Sequence, residues 1–270
     1  RTSIGGNPFL QPELSETRTL GLVYSPSWFE SFDISLDWWK IELEDVIQGF
    51  GAQTVLNGCI IDGNANFCQL YTRNPGGSIN SLLSAGVNFG EASVEGYDMT
   101  INYRLPETAW GRFSFNWDTT YLAEYKLGDD DNLVGEYSPE SNQWRIRSNL
   151  LARWEKGDWG ATWSTRYFSR QEEACPFYYN DYGFGELCSD AVVDANGVVD
   201  LAVSQNKIGG TTYHDASVYT KLPWNAKVTL GVNNIFDKEP PKAFTAFANT
   251  FDPQYEVPGQ FVYLQYNQKF

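Results

Sequence analysis

The side chains that could catalyse a reaction are few and dispersed in this sequence. His214 is the only histidine, and no serine, cysteine or carboxylate stands with it in the spacing of a nucleophile or a metal site. The run Asp129–Asp131 offers oxygen ligands of the kind that Ca²⁺ takes, but it is more typical of a solvated loop. We therefore predict that the chain is not an enzyme and holds neither a metal nor a cofactor.

Four cysteines form two close pairs along the chain, Cys59 with Cys68 and Cys175 with Cys188. Neither pair has the C-x-x-C spacing of a metal site. Two local disulfides are the favoured pairing, although four cysteines permit three connectivities; buried free thiols are the alternative. Disulfides persist in oxidising compartments, so this pairing indicates the periplasm or the cell surface.

Aromatic residues inside the second cysteine pair are the candidate ligand-binding surface, because such rings stack on sugars or on an aromatic iron chelate. Packing of the loop on itself is the alternative. The loop 171–212 carries seven acids against one lysine, which disfavours an anionic chelate unless three arginines of the neighbouring segments bind it. The composition therefore leans to a glycan or another neutral ligand. The candidates are Tyr178, Tyr179, Tyr182 and Phe184, with Arg145, Arg147 and Arg166.

Charge and hydropathy exclude several classes of protein. The net charge is −15, and phosphate binding needs clustered lysine and arginine, so a nucleic-acid partner is excluded. With 42% hydrophobic residues the chain is too apolar for disorder. No run approaches the ~18 apolar residues that a membrane helix needs. Any crossing of a membrane must therefore use strands.

Alternation of apolar and polar side chains predicts an all-β chain of about nine strands. Two connections are long, 44–93 and 171–212, and we predict one amphipathic helix in the first of them, from Asp45 to Leu56. The chain ends within a strand whose last residue is Phe270. The strands are predicted over residues 17–27, 32–43, 94–105, 112–118, 143–154, 159–167, 213–222, 225–236 and 259–270.

Short and long connections alternate along this pattern. The connections 28–31, 107–111, 155–158 and 223–224 are tight, whereas the intervening ones run to roughly 18 to 50 residues. An outer-membrane barrel has this asymmetry, with short periplasmic turns and long extracellular loops. Each tight turn also has a tryptophan in or beside it, as an aromatic girdle at the membrane interface requires; core tryptophans of a β-sandwich are the alternative. These residues are Trp28, Trp110, Trp159 and Trp224.

The predicted strands carry charged residues on one face. The apolar side chains that alternate with them form runs without any Asp, Glu, Lys or Arg; in the fifth strand these are Trp144, Ile146, Leu150 and Trp154. Lipid outside and a wet lumen inside would impose this division, because an arginine on the lipid face costs about 2–4 kcal/mol near the midplane. A sandwich also alternates, but it does not need strands of this length. We predict an antiparallel transmembrane β-barrel.

Four segments carry a resemblance to a known family. They are Asn7–Glu13, Val94–Asp98, Gly231–Pro241 and Pro258–Phe270. Together they resemble the carboxy-terminal half of a TonB-dependent outer-membrane receptor. The resemblance implies a bacterial outer-membrane barrel of about 22 strands, an amino-terminal plug with a TonB box, and import of a scarce nutrient with energy relayed by the TonB complex. It also implies that Phe270 is the signal read by the barrel-assembly machinery.

The chain lacks a recognisable plug, TonB box or leader, and it begins Arg1-Thr2-Ser3. About nine strands, the first starting at the outer end, cannot close an even barrel whose termini are both periplasmic. We therefore expect residues 1–270 to be the carboxy-terminal portion of a receptor barrel, closed by amino-terminal strands that pair with its edges and surrounded by outer-membrane lipid. The alternatives are a passive porin-type or export barrel and a secreted carbohydrate-binding β-protein.

Overall fold

A computed structural model describes most of the chain, and contacts divide it into two units. The first comprises residues 1–18, 40–94 and 125–132, and the second comprises residues 19–39, 95–124 and 133–270. Within them the structure describes residues 2–4, 10–61, 63, 65–84, 86–88, 90–128, 132–138, 141–174, 189–193, 195–197, 200, 204–246 and 251–269.

The described part of the chain is mostly strand, with two short helices. No helix in it has the length and apolar character to cross a membrane. In chain order the elements are β1 (Thr2–Ile4), β2 (Leu14–Tyr24), β3 (Phe32–Glu44), β4 (Ile47–Gly49), α1 (Ala52–Ile60), α2 (Ala65–Cys68), β5 (Tyr71–Arg73), β6 (Ile79–Ser84), β7 (Gly86–Asn88), β8 (Glu91–Arg104), β9 (Arg112–Leu127), β10 (Tyr137–Ser138), β11 (Ser141–Asn142), β12 (Ile146–Lys156), β13 (Trp159–Phe168), β14 (Gln171–Ala174), β15 (Gln205–Ile208), β16 (Thr211–Leu222), β17 (Ala226–Asn233) and β18 (Phe261–Gln268).

Nine long strands form one sheet in the order β18-β17-β16-β13-β12-β9-β8-β3-β2. Each strand lies beside its neighbour in the chain, and the registered pairs from β9 to β18 are antiparallel. The prediction of an antiparallel barrel sheet with nine strands is confirmed, as part of a barrel that is not closed. The bounds differ most for the first strand, which occupies Leu14–Tyr24 rather than 17–27, and for the fourth, which continues to Leu127.

Cross-strand partners confirm that the sheet has one apolar and one polar face. Directly paired residues share a face. One row of partners runs through Phe115, Ala152, Trp163, Ala216 and Val232. The next row, on the other face, runs through Ser114, Arg153, Thr162 and Ser217. Large side chains of the apolar face are open to the surroundings; Leu264, for example, is 73% exposed.

The helix predicted from Asp45 to Leu56 is wrong at both ends, because α1 spans Ala52–Ile60. Asp45 has a positive φ of 56°, which ends β3, and the next residues form β4, paired with β7. The helix begins only after Gly51. It continues past residue 56 because its buried Val55 packs with Phe67 and Leu82 in the core of the first unit. The predicted Cys59–Cys68 disulfide is present and joins α1 to α2.

Gly160 lets a tyrosine lie flat on the polar face. A Cβ atom added at Gly160 would stand 2.4 Å from the ring of Tyr219 on the paired strand. That ring crosses the glycine, and its hydroxyl donates to Glu155 Oε1 at 2.8 Å. A side chain at Gly160 would therefore displace the Tyr219 ring from the surface of the sheet.

We expect Gly160→Ala to destabilise the receptor by about 1–3 kcal/mol, the usual effect of overpacking. Urea unfolding of the full-length receptor in lipid measures this. Gly209→Ala is the matched control, since a Cβ there meets nothing within 4 Å. Equal unfolding midpoints for the two variants would show that Tyr219 does not need the space.

Candidate functional site

Arg166 lies on the polar face of β13 and is bound by two carboxylates. Its guanidinium donates to Asp215 through Nε at 3.2 Å and through Nη2 at 3.1 Å. Nη2 also donates to Glu256 at 2.8 Å, and the guanidinium lies 5.5 Å from the ring centre of Tyr213. Arg166 was predicted to bind ligand, but in this arrangement its charge is already balanced by side chains of the chain itself.

Asp215 connects this ion pair to the connection between β17 and β18. Its Oδ1 also accepts the backbone N–H of Asn234 at 2.8 Å. Asn234 is fully buried, and its side chain both donates to the carbonyl of Lys238 and accepts the N–H of that residue. Asp237 Oδ1 then accepts the N–H of Gln260 at 2.8 Å. Residues of the segment Gly231–Pro241 thus hold the start and the end of the β17–β18 connection together.

Four aromatic residues pack together beside Arg166: Trp144, Phe168, Tyr213 and Tyr255. Trp144 Nε1 donates to the hydroxyl of Tyr255 at 2.9 Å. Burial raises the pKa of Tyr255 to about 12, so this phenol stays protonated as a hydrogen-bond acceptor at neutral pH.

Trp144 was predicted on the apolar face of the fifth strand, and this is wrong. It is 4% exposed and packs against Phe168 with the ring planes at 50°; the partner of Phe168 in the register is Arg147 of the polar face. The physical reason is that β12 begins only at Ile146. The alternation therefore cannot be extended back to residue 144, and the indole packs with the polar-face cluster.

The other two predicted arginines differ in their contacts. Arg145 Nη2 donates to the carbonyl of Val134 at 3.0 Å. Arg147 is exposed, and its guanidinium lies 5.3 Å from the ring centre of Trp144 and 5.7 Å from that of Phe168. Within the described residues no carboxylate lies within ion-pair distance of Arg147. Arg147 is the most exposed of the three arginines, and it shares with Arg145 the lack of a carboxylate partner among the described residues.

Glu173 is a buried carboxylate that no sequence motif singles out. It is 2% exposed and accepts four hydrogen bonds of 2.6–2.9 Å, from the side chains of Asn206 and Thr245 and from the N–H groups of Phe244 and Thr245. It therefore ties the hairpin of β14 and β15 to residues 244–245. It is one of seven acids between residues 171 and 212, and no local pattern distinguishes it from the others.

Several predicted site residues lie outside the described part of the chain, so their roles stay predictions. The four aromatic residues of the second cysteine pair, the two cysteines themselves, the acidic run and the terminal residue are all in this group. They are Tyr178, Tyr179, Tyr182, Phe184, Cys175, Cys188, Asp129–Asp131 and Phe270.

The tryptophans of the tight turns are all exposed, from 54% for Trp159 to 78% for Trp28. A second level of exposed aromatic residues, which the sequence interpretation missed, lies towards the other end of the strands and includes Tyr97, Tyr121 and Tyr167. Trp159 and Tyr167 are eight residues apart on β13, or about 26 Å along a strand. Because strands of such barrels tilt by about 35–45°, this separation spans roughly 18–21 Å along the membrane normal, a little less than the apolar band of about 25 Å. The girdle role itself stays a prediction.

Solved structures with the same fold are large outer-membrane proteins. The FrpB iron transporter from Neisseria meningitidis is 16% identical, with a TM-score of 0.59 over 99% of this chain and 33% of its own. The siderophore receptor PirA from Acinetobacter baumannii is 16% identical, with a TM-score of 0.60 over 97% and 32%. A mutant of the ferric enterobactin receptor PfeA from Pseudomonas aeruginosa is 17% identical, with a TM-score of 0.60 over 97% and 32%.

At these identities the likeness establishes the fold, and the chain spans about a third of the length of the structures that it matches. No curated protein sequence matches it significantly. A family model described as "TonB dependent receptor-like, beta-barrel" matches residues 1–235. The chain therefore belongs to the TonB-dependent receptor family of outer-membrane β-barrels, and it forms part of such a barrel.

Proposed function

We propose that the complete receptor binds a scarce small ligand at its outer end and imports it with energy relayed by the TonB complex. This chain supplies part of the barrel wall and, on its polar face, a ligand contact. The observation that carries the proposal is the pairing of an uncharged outer face with a polar face that presents Arg147 over aromatic rings. The first face suits lipid, and the second suits a solute.

Arg147 favours a metal chelate with anionic groups. A guanidinium that already lies on two rings keeps its N–H donors for a carboxylate or a catecholate oxygen. The names of the similar structures also support a metal chelate, since they are an iron transporter, a siderophore receptor and a ferric enterobactin receptor. A glycan is the second candidate. The acids between residues 171 and 212 support it, because they repel anions.

Other partners follow from the family. Outer-membrane lipid would cover the apolar face, and further strands would pair with the edges β2 and β18. A plug with a TonB box would connect the barrel to the TonB complex, and the barrel-assembly machinery would recognise the end of the chain at Phe270. In this proposal residues 1–270 are the carboxy-terminal portion of the barrel.

Uptake by whole cells tests the proposal. Cells that produce the full-length receptor are given ferric enterobactin, ferric citrate, a copper chelate and maltooligosaccharides, each radiolabelled, in strains with and without TonB. We expect one chelate to bind in both strains and to accumulate only where TonB is present. Equal accumulation in both strains would identify a passive pore, and saturable binding of an oligosaccharide alone would identify a glycan receptor.

A further inference from the structure

The connection between β17 and β18 lies against the polar face of the second unit. Two of its segments, both described, contact residues of that face and of the neighbouring hairpin. The first arm is residues 243–246, and the second arm is residues 251–256. Tyr137 contacts both arms, because it packs with Ala243 and Ala246 of the first and its hydroxyl donates to Asp252 of the second. Each arm also has partners of its own.

Glu173 and a small apolar cluster hold the first arm. Ala243 and Ala246 are buried against Tyr137 and Ile208, and the backbone of the arm donates to the carboxylate of Glu173. Ala243, Ala246 and Glu173 are all buried. The first arm is therefore attached by a small core that is shielded from solvent.

The second arm is held by a polar contact and by one ring. Glu256 accepts Arg166 Nη2 at 2.8 Å, with side chains 20% and 29% exposed, so water reaches the ion pair. Tyr255 inserts next to Trp144 and Phe168, with ring centres 5.5 Å from each. Asp252 makes the turn of the arm by accepting the N–H of Gln254 at 2.7 Å. A single charged group of the wall, Arg166, thus orients the arm that covers the aromatic cluster.

The rings that Tyr255 covers are the same two rings on which Arg147 lies. When Tyr255 is in place, a ligand cannot stack on those faces of Trp144 and Phe168. When the arm leaves, the rings become open, and Arg166 loses one of its two carboxylates. The arm and a ligand bound at Arg147 would therefore compete for one surface.

We infer that residues 251–256 form a strap over the polar face, latched by the ion pair of Arg166 with Glu256, and that breaking this pair releases the strap while the first arm stays attached. The assignment of the uncovered rings to a ligand rests on the proposed function; the latch itself does not. Local elements open independently of the rest of a fold where their contacts are weakest. In this strap the Arg166–Glu256 pair is the partly hydrated contact, whereas Tyr255 and Asp252 are buried.

Glutamyl endopeptidase tests the latch directly, because it cleaves after glutamate and must bind the Glu256 side chain that Arg166 holds. Glu239 precedes Pro240 and resists cleavage, so a cut after Glu256 is the diagnostic event in this connection. We expect Arg166→Gln to speed this cleavage about tenfold or more in the full-length receptor in detergent, as loss of a charge-assisted hydrogen bond implies. Arg153→Gln is the matched control and should leave the rate unchanged, because Arg153 lies on the same polar face beside Thr162, four residues along β13 from Arg166.

A second variant is used in case Arg166→Gln does not fold. Glu256→Gln removes the same ion pair from the side of the strap and leaves every residue of the sheet unchanged. Hydrogen exchange is then measured in peptides from both arms. We expect faster exchange in residues 251–256 and unchanged exchange in residues 243–246. Unchanged exchange in both arms, or equal cleavage of Arg166→Gln and the parent, would overturn the inference. Neither readout requires a ligand or transport, so both stand apart from a failure of the proposed function.

Discussion

Replacing Glu173 with alanine is expected to loosen the hairpin of β14 and β15 and the first arm together, by about 3–5 kcal/mol. The change leaves four donors around a buried site without their acceptor, and each unmet donor costs about 1–3 kcal/mol. Part of this is offset, because the buried charge and its desolvation cost disappear with the carboxylate. Loss of the donors' acceptor is the larger effect.

Hydrogen exchange measures this loosening in peptides that cover residues 205–208 and 243–246. Glu172→Ala is the matched control, because that neighbour donates its backbone N–H to the carbonyl of Gly135, a bond that the substitution keeps, and its side chain makes no hydrogen bond to another described residue. Glu173→Gln should be intermediate, since an amide keeps one acceptor oxygen but turns a donor towards other donors. If Glu172→Ala and Glu173→Ala exchanged alike, the carboxylate would not be the anchor.

Placing arginine at Leu150 is expected to cost about 2–4 kcal/mol of stability in a bilayer. Leu150 lies in the middle of β12 on the apolar face, where its partners are Trp117 and Thr165. Its side chain is 37% exposed, so the substitution creates no cavity and breaks no hydrogen bond. The cost arises because the guanidinium must enter hydrocarbon or distort the bilayer around it.

Leu151→Arg is the control for this prediction, because the same change is then made on the polar face, where the partners of Leu151 are the uncharged Asn116 and Ser164. There we expect a change close to zero. Urea unfolding of the full-length receptor in lipid vesicles compares the two variants. Equal unfolding midpoints would mean that lipid does not distinguish the faces of β12.

The two-residue alternation of the strands could be predicted from the sequence, because lipid tolerates few charged side chains on the face that it covers. Uncharged side chains alternate with polar ones through runs such as Ala161 to Arg166, and a charge on the wrong face is costly. The tight turns were readable for a related reason, since exposed tryptophans repeat beside them. These features gave the nine strands, their order along the chain and the division of the faces.

The site was harder to predict because its contacts are long-range. Trp144 continues an alternating pattern in the sequence, yet the strand starts two residues later, and the indole is bound by Tyr255, 111 residues away. Arg166 was selected as a ligand contact because nothing nearby in the sequence shows that Glu256 pairs with it, 90 residues later. Packing and ion pairs of this kind depend on the tertiary fold, which a local pattern does not contain.

We expect hydrocarbon to cover the apolar face of this sheet and water to reach the other face. Spin labels at four successive positions of β13 test it most directly: Ala161 and Trp163 on the apolar face, Thr162 and Ser164 on the polar face. In vesicles containing the full-length receptor, we predict that oxygen relaxes the first pair more strongly and that a water-soluble nickel chelate relaxes the second pair more strongly. Four labels equally accessible to the nickel chelate, or an apolar pair shielded from both reagents as under a second sheet, would contradict the account.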